Sequence, residues 1–119
     1  MNLEMLKCKI HRATVTDADL SYEGSISIAP QLIEASGMLI NEKVDIYNCN
    51  TGARFSTYVI PGKANEICLN GAAARLVQRG DVVIIVCYAS MTVEEAKKWE
   101  PTCVFVNQKN EIVELKTRG

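Results

Sequence analysis

A glycine–serine bond is the first place in this 119-residue chain where chemistry could start. In the segment Tyr22-Glu23-Gly24-Ser25, a serine directly follows a glycine. If the backbone holds the serine hydroxyl against the preceding carbonyl, the amide can rearrange to an ester by an N-to-O acyl shift. Glycine tolerates the strained dihedral angles that such an attack requires. Elimination and hydrolysis with loss of ammonia would then leave a pyruvoyl group. The dipeptide alone is weak evidence, because Gly-Ser pairs are common in ordinary turns.

Alternation of apolar residues with a period of two dominates the chain and predicts strands that bury one face. The predicted strands cover residues 5–12 (with 13–16 as a continuation), 25–28, 43–49, 54–60, 66–69, 82–88, 102–106 and 112–115. Short helices are predicted from Pro30 to Gly37, after Asn70, and from residue 93 behind the capping-box pair Thr92 and Glu95. Many short strands in so short a chain indicate a mainly β fold and favour a closed barrel, because closure removes exposed edges.

Composition indicates one domain spanning residues 1–119, since 48% hydrophobic residues suffice for an ordinary core. The 13 Lys and Arg nearly cancel the 14 Asp and Glu, so neither nucleic acid nor an anionic membrane is an expected partner. We expect a cytoplasmic location, because no secretory signal is seen and the longest apolar run, residues 82–89, is too short to cross a bilayer.

No familiar cofactor motif is seen, neither a Walker loop nor G-x-G-x-x-G nor G-x-S-x-G. The 5 cysteines are scattered without a C-x-x-C pair, and there is 1 histidine. We therefore expect reduced, mostly buried thiols and no metal site.

Several blocks in their order along the chain resemble the pyruvoyl-dependent aspartate 1-decarboxylases. They are Lys9-Ile10-His11-Arg12 with Ala13-Thr14-Val15-Thr16, Tyr22-Glu23-Gly24-Ser25, Gly52-Ala53-Arg54-Phe55-Ser56-Thr57-Tyr58, Asn70-Gly71-Ala72-Ala73-Ala74, and the strand over residues 80–85. The resemblance extends from about Met5 to Pro101, and no functional role is carried beyond it.

The resemblance implies a small closed six-stranded double-psi β-barrel with two or three short helices, assembled as a homotetramer with sites near subunit interfaces. It also implies self-cleavage between Gly24 and Ser25 into a β chain, residues 1–24, and an α chain, residues 25–119. The pyruvoyl group made from Ser25 would form a Schiff base with L-aspartate and yield β-alanine and CO2 for pantothenate synthesis. No pyridoxal phosphate or metal is implied, and the need for a maturation partner is left open.

The resemblance also implies which residues bind the substrate. Arg54 offers a planar fork for a carboxylate and Lys9 is a second cation; which of them meets which carboxylate is left open. His11 matches an active-site histidine that could orient a hydroxyl or a carboxylate. Taken singly, each of these side chains would more often be solvated or simply packed on a strand.

Two residues of the Arg54 block match catalytic residues of the family. Tyr58 matches the proton donor, and a phenol stays protonated at neutral pH. Thr57 matches a residue that hydrogen-bonds the oxyanion during self-cleavage and contacts the substrate. Neighbours on a regular strand face opposite sides, so a shared role predicts a local twist or an interface at this point.

The segment Asn70-Gly71-Ala72-Ala73 matches the substrate-lining turn of the family, in which small side chains let main-chain N–H groups approach an anion. A tight turn that needs small residues for packing alone is the simpler interpretation. For the whole chain, the competing hypothesis is a non-catalytic β-barrel, a binding or assembly module in which Gly24-Ser25 is an ordinary loop.

Overall fold

A computed structural model describes residues 1–119 and contains a sheet of 9 strands, two α-helices and one 3-10 helix. The strands are β1 (Asn2–Thr14), β2 (Asp17–Asp19), β3 (Ser25–Ile28), β4 (Lys43–Asn48), β5 (Arg54–Pro61), β6 (Ile67–Asn70), β7 (Val82–Thr92), β8 (Thr102–Val106) and β9 (Ile112–Lys116). The helices are α1 (Pro30–Ser36), the 3-10 helix (Gly71–Leu76) and α2 (Val93–Lys98).

The strand pairings connect in a ring. Starting from β1, each strand pairs with the next in the order β1, β7, β4, β5, β3, β6, and β6 also pairs with β2. Only Val15 and Thr16 separate β1 from β2, and the Thr16 amide donates to the Ile67 carbonyl of β6 at 2.8 Å. Because β1 and β2 belong to one extended stretch, the run of strands returns to where it began. The mainly β prediction is confirmed, and the pairings agree with a small six-stranded barrel.

Aliphatic side chains fill the interior of this ring, in a single cluster of 20 buried residues. On β4, Val44 and Ile46 point inward, and on β7 Val83 and Ile85 do the same. This is the period-two pattern of a strand with one buried face. In contrast, β3 is buried along its whole length. The strand that begins at Ser25 is therefore enclosed on both faces.

The predicted helix ends are confirmed. Pro30 opens α1, and Gly37 ends it in the left-handed conformation with φ 80°. At α2 the Thr92 hydroxyl accepts from the Glu95 amide, while the Glu95 carboxylate accepts from the Thr92 amide. The short strand β2 was not predicted, because three residues with two exposed carboxylates carry no apolar alternation. No helix of the structure has the length and apolar character needed to span a membrane.

The β8–β9 hairpin packs outside the ring, with β8 parallel to β1. Asn110, in its turn, is 1% exposed and has φ 59°. Its side chain accepts from the Thr14 amide at 2.8 Å and donates to the carbonyls of Thr14 and Asn65 at 2.9 and 3.0 Å. The Asn110 side chain thus makes the hydrogen bonds to Thr14 that a neighbouring strand would otherwise make at the end of β1. These bonds anchor the hairpin to the ring.

Replacing Asn110 by glycine tests this anchor, because glycine keeps the positive φ and removes only the side chain. The part-buried backbone groups of Thr14 and Asn65 would lose three hydrogen bonds, so we expect the free energy of unfolding to fall by about 2–3 kcal/mol. Urea unfolding followed by circular dichroism measures the loss. Lys109→Ala, an exposed neighbour, is the control and should change stability by less than about 0.5 kcal/mol. Equal stability of the two variants would contradict the anchoring role.

Candidate active site

Ser25 lies at the start of β3 and is 1% exposed. In the antiparallel pairing with β6 it faces Asn70, whose Nδ2 donates to the Ser25 Oγ at 2.9 Å. The Ser25 hydroxyl donates to the carbonyl of Glu23 at 3.2 Å. That carbonyl precedes the Gly24 carbonyl by one residue. The Ser25 hydroxyl proton is thus not directed at the carbonyl of the Gly24–Ser25 bond.

The other neighbour of β3 brings Thr57 and Tyr58 to the same place. The parallel pairing sets Ile26 opposite Val59. Extended backwards, this register puts Gly24 level with Thr57 and the following serine level with Tyr58. The β3 register therefore brings the predicted cleavage residues and the predicted proton donor together.

An open cavity of about 370 Å³ lies at this point. Its lining consists of Gly24, Phe55, Ser56, Thr57, Tyr58, Ala72, Ala73 and Leu76. Thr57 and Tyr58 both border it, although a regular strand points neighbouring side chains in opposite directions. The Tyr58 side chain is accessible, with the residue 37% exposed. No charged side chain lines this cavity within the chain.

Gly71 lies so close to the backbone of Gly24 that it has no room for a side chain. Its φ is 64°, and a Cβ atom placed on it would lie 2.7 Å from both the N and the Cα of Gly24. Atoms cannot approach so closely, so any side chain at position 71 would displace the Gly24 backbone. The small-residue turn at 70–73 thus receives the chain's own backbone at Gly24, and its Ala72 and Ala73 line the cavity beside it.

Ser27 and Cys68, two residues that share the Asn70 amide with Ser25, were not identified from the sequence. Asn70 Nδ2 also donates to the Ser27 Oγ at 3.0 Å, and the Cys68 thiol donates to the Asn70 Oδ1 at 3.2 Å. A signal was present, because Ser27 follows Ser25 by two residues and Cys68 precedes Asn70 by two. Period-two alternation places each pair on one face of its strand.

Lys9 and His11 lie elsewhere in the chain, around Phe105. The Lys9 Nζ is 5.9 Å from the centroid of the Phe105 ring, and the His11 ring centroid is 4.9 Å from it. His11 borders a separate cavity of about 470 Å³ together with Arg12, and its buried Nδ1 atom has no hydrogen-bond partner. Burial lowers the pKa of His11, and the positive charges of Lys9, Arg12 and Lys116 lower it further.

Arg54 does not line the cavity at Gly24, although its neighbours Phe55 and Ser56 do. Its guanidinium stacks 3.9 Å from the centroid of the Tyr47 ring and borders a third cavity, of about 310 Å³, that also includes Asp45. The hydroxyl groups of Tyr47 and Tyr88 share a hydrogen bond of 2.8 Å. That bond and partial burial raise the pKa of Tyr88 to about 12. Within one chain, the predicted substrate-binding residues Lys9, His11 and Arg54 therefore do not line the cavity at Gly24.

Comparison with known proteins identifies the family. Residues 1–113 match the family model described as aspartate decarboxylase. The chain belongs to the aspartate decarboxylase family. The matched range includes β8 and extends into β9, beyond the point near Pro101 where the sequence motifs become weak.

Similar curated proteins agree with this family membership. A protein of Bdellovibrio bacteriovorus named aspartate 1-decarboxylase is 69% identical over 114 residues, which cover 96% of this chain and 92% of that protein. Proteins of the same name from Campylobacter concisus and Clostridium beijerinckii are 63% and 61% identical, covering 95% and 97% of this chain and 98% and 94% of their own length. The resemblance read from the sequence motifs is confirmed.

The environment of His11 predicts its titration. Because the chain contains 1 histidine, its imidazole signal in a proton NMR spectrum needs no assignment. We expect a pKa below 6.5 in the folded protein and a return towards 6.5 in urea. A lowered folded pKa means that the unfolded chain binds the proton more tightly. His11 then contributes to a fall in stability as the pH drops below 6.5. A folded pKa at or above the urea value would contradict this description.

Proposed function

We propose that this chain is the precursor of an aspartate 1-decarboxylase, which cuts its own Gly24–Ser25 bond and then converts L-aspartate to β-alanine and CO2 for pantothenate synthesis. One observation carries most of the weight: the Ser25 Oγ is buried and bonded to Asn70 at 2.9 Å, and the preceding residue, Gly24, borders one cavity together with Thr57 and Tyr58.

Self-cleavage begins with attack of the Ser25 oxygen on the Gly24 carbonyl carbon. A C–O bond forms, the C–N bond breaks, and the hydroxyl proton is transferred to the Ser25 nitrogen. Negative charge develops on the Gly24 carbonyl oxygen during this step, and a hydrogen bond to it lowers the barrier. Thr57, level with Gly24 in the strand register, is our candidate donor.

The ester is then resolved into two chains. Loss of the Ser25 Cα proton expels the Gly24 carboxylate, and water releases the nitrogen as ammonia. The products are a β chain, residues 1–24, and an α chain, residues 25–119, which begins with a pyruvoyl group. When formed, this group supplies an electron sink for the electron pair released as CO2 leaves. The Asn70 amide lies next to this position, because Asn70 is opposite Ser25 in the β3–β6 pairing, and its N–H would be free to donate to the new group once the Ser25 Oγ has left with the Gly24 carboxylate.

Tyr58 is our candidate for the proton donor of the decarboxylation. Carbon dioxide leaves behind an electron pair on carbon, which must be protonated to give β-alanine. Tyr58 borders the cavity next to Gly24 and is level with Ser25 in the strand register. Its hydroxyl is a proton donor, and the residue is exposed enough for a molecule in the cavity to reach it. Ala72 and Ala73 line the same cavity with small side chains, and Asn70 and Gly71 of the same segment contact Ser25 and Gly24; the cavity of about 370 Å³ leaves room for a substrate of the size of aspartate.

Aspartate carries two carboxylates, and the cavity beside Ser25 has no cation of its own. A buried carboxylate needs a positive partner, for which Arg54 and Lys9 are the candidates, with His11 as an orienting group. All three lie elsewhere on the chain. We therefore infer that the chain acts as a homotetramer in which a neighbouring subunit supplies these residues to each cavity. Such an arrangement explains why Arg54 and Tyr58 lie on the same exposed side of β5 but serve different cavities.

Mass spectrometry of the purified protein tests self-cleavage. We expect fragments of 24 and 95 residues, since 119 − 24 = 95, the larger one lighter by one ammonia than simple hydrolysis would leave it. Ser25→Ala has no hydroxyl to start the acyl shift, so it should stay intact and produce no β-alanine. A parental chain that stays uncut after prolonged warming would favour a non-catalytic barrel. Normal turnover by Ser25→Ala would disprove the assignment.

Tyr58→Phe separates cleavage from turnover. The ring stays in place and only the phenolic proton is lost. We therefore expect normal self-cleavage and a kcat lower by at least about 100-fold, the usual contribution of a general acid. Self-cleavage of Tyr58→Phe, measured by mass spectrometry, serves as the internal control, because it shows that the variant folds. Turnover near the parental rate would show that another group delivers the proton.

Co-expression of two inactive chains tests the shared site. Mixed tetramers of Arg54→Ala and Ser25→Ala chains should recover about a quarter of parental activity if a neighbour supplies Arg54 and subunits mix at random. The matched control pairs Tyr58→Phe with Ser25→Ala; because these residues border one cavity of the same chain, this mixture should stay inactive. Recovery in neither mixture would place Arg54 in the same site as Ser25 of its own chain.

A further inference from the structure

The Asn70 side chain sits at the centre of a buried polar group that the proposed reaction does not fully use. Asn70 is 3% exposed, and its amide makes three hydrogen bonds, to Ser25, Ser27 and Cys68. Cys68 is 6% exposed and has no other role in the site described above. We propose that Cys68 is a positioning residue for self-cleavage, which orients the Asn70 amide so that its nitrogen faces the Ser25 oxygen. This inference rests on the proposed function.

The hydrogen bonds allow only one orientation of the amide. In the observed one, Oδ1 accepts from the Cys68 thiol at 3.2 Å, and the two N–H groups of Nδ2 meet the oxygens of Ser25 and Ser27 at 2.9 and 3.0 Å. Each donor and its acceptor are matched. A flipped amide would turn its N–H groups toward a thiol, which is a weak acceptor, and its oxygen toward the two hydroxyls.

The flip would change the state of the nucleophile. The Ser25 hydroxyl has a single proton, which it now donates to the Glu23 carbonyl at 3.2 Å while its oxygen accepts from Asn70. With Oδ1 facing it, the hydroxyl would donate to Asn70 instead. The oxygen would then lose the N–H that stabilises negative charge as its proton leaves. Maturation would be slower in that orientation.

Cys68 is suited to hold the amide because its thiol stays protonated. Burial raises the pKa of Cys68 to about 11, and the carboxylates of Asp17, Glu66 and Asp19 contribute to the shift. A protonated thiol is a donor, and the Asn70 Oδ1 at 3.2 Å is a nearer acceptor than the Leu69 carbonyl at 3.9 Å. The pairing of Cys68 with Ser27 across β3 and β6 fixes the distance between the two strands at this point.

The test compares the rate of self-cleavage in variants that keep or lose the donor. Cys68→Val removes the donor at nearly constant volume and should slow cleavage by about tenfold, equivalent to about 1.4 kcal/mol in the barrier. Cys68→Ser retains a donor and should cleave at close to the parental rate. Cys103→Val, at a buried cysteine of β8, is the control for loss of a core thiol. Each chain is purified uncut at low temperature, warmed, and followed by mass spectrometry, with its melting temperature recorded.

A packing role and a positioning role of Cys68 predict different cleavage rates for these variants. If Cys68→Val cleaves as fast as the parental chain, or if Cys68→Ser is as slow as Cys68→Val, the inference is overturned. Should Cys68→Val fail to fold, Cys68→Ala serves as the donor-free chain, with the same two outcomes. If the parental chain is never cut, both the proposed function and this inference are overturned. If the parental chain is cut and the donor-free variants are cut at the same rate, the inference alone is overturned.

Discussion

The site depends on the register of one short strand held between two neighbours. Against β6, β3 sets Ser25 opposite Asn70, and against β5 the same register sets Gly24 level with Thr57. A slip of one residue would turn every side chain of β3 to its other face and remove the hydroxyl from the amide. Since β3 is buried along its length, apolar packing on both faces opposes such a slip. Ordinary core packing thus keeps the reactive groups in position.

Two further features follow from that register. The Gly24 backbone lies so close to Gly71 that no side chain fits between them, which brings the 3-10 helix and its alanines against the cavity. The cations suited to a dicarboxylate lie on other faces, Arg54 over Tyr47 and Lys9 beside Phe105. Under the function proposed above, the residues for self-cleavage would lie within one chain, whereas substrate binding would need cations from a neighbouring subunit.

Much of this arrangement could be predicted from the sequence because its signals are local. Alternation located the long strands, and Pro30, Gly37 and the pair Thr92 and Glu95 marked helix ends. The pairing of strands distant in sequence has no such local signal, which is why the contact of Cys68 with Asn70 and the position of Arg54 outside the cavity at Gly24 were not foreseen. The roles of individual site residues came from the resemblance of motifs and remain predictions; the structure brings Gly24, Thr57 and Tyr58 to one cavity.

The central claim is that Ser25 becomes a carbonyl group, and chemical labelling of the mature protein tests it most directly. An aminooxy reagent reacts with ketones and leaves ordinary side chains unchanged. After denaturation, the fragment of residues 25–119 should gain the mass of one oxime and the fragment of residues 1–24 should gain nothing, whereas the Ser25→Ala chain should remain whole and unlabelled. A fragment that begins at Ser25 with a free amine, and does not react, would contradict the account.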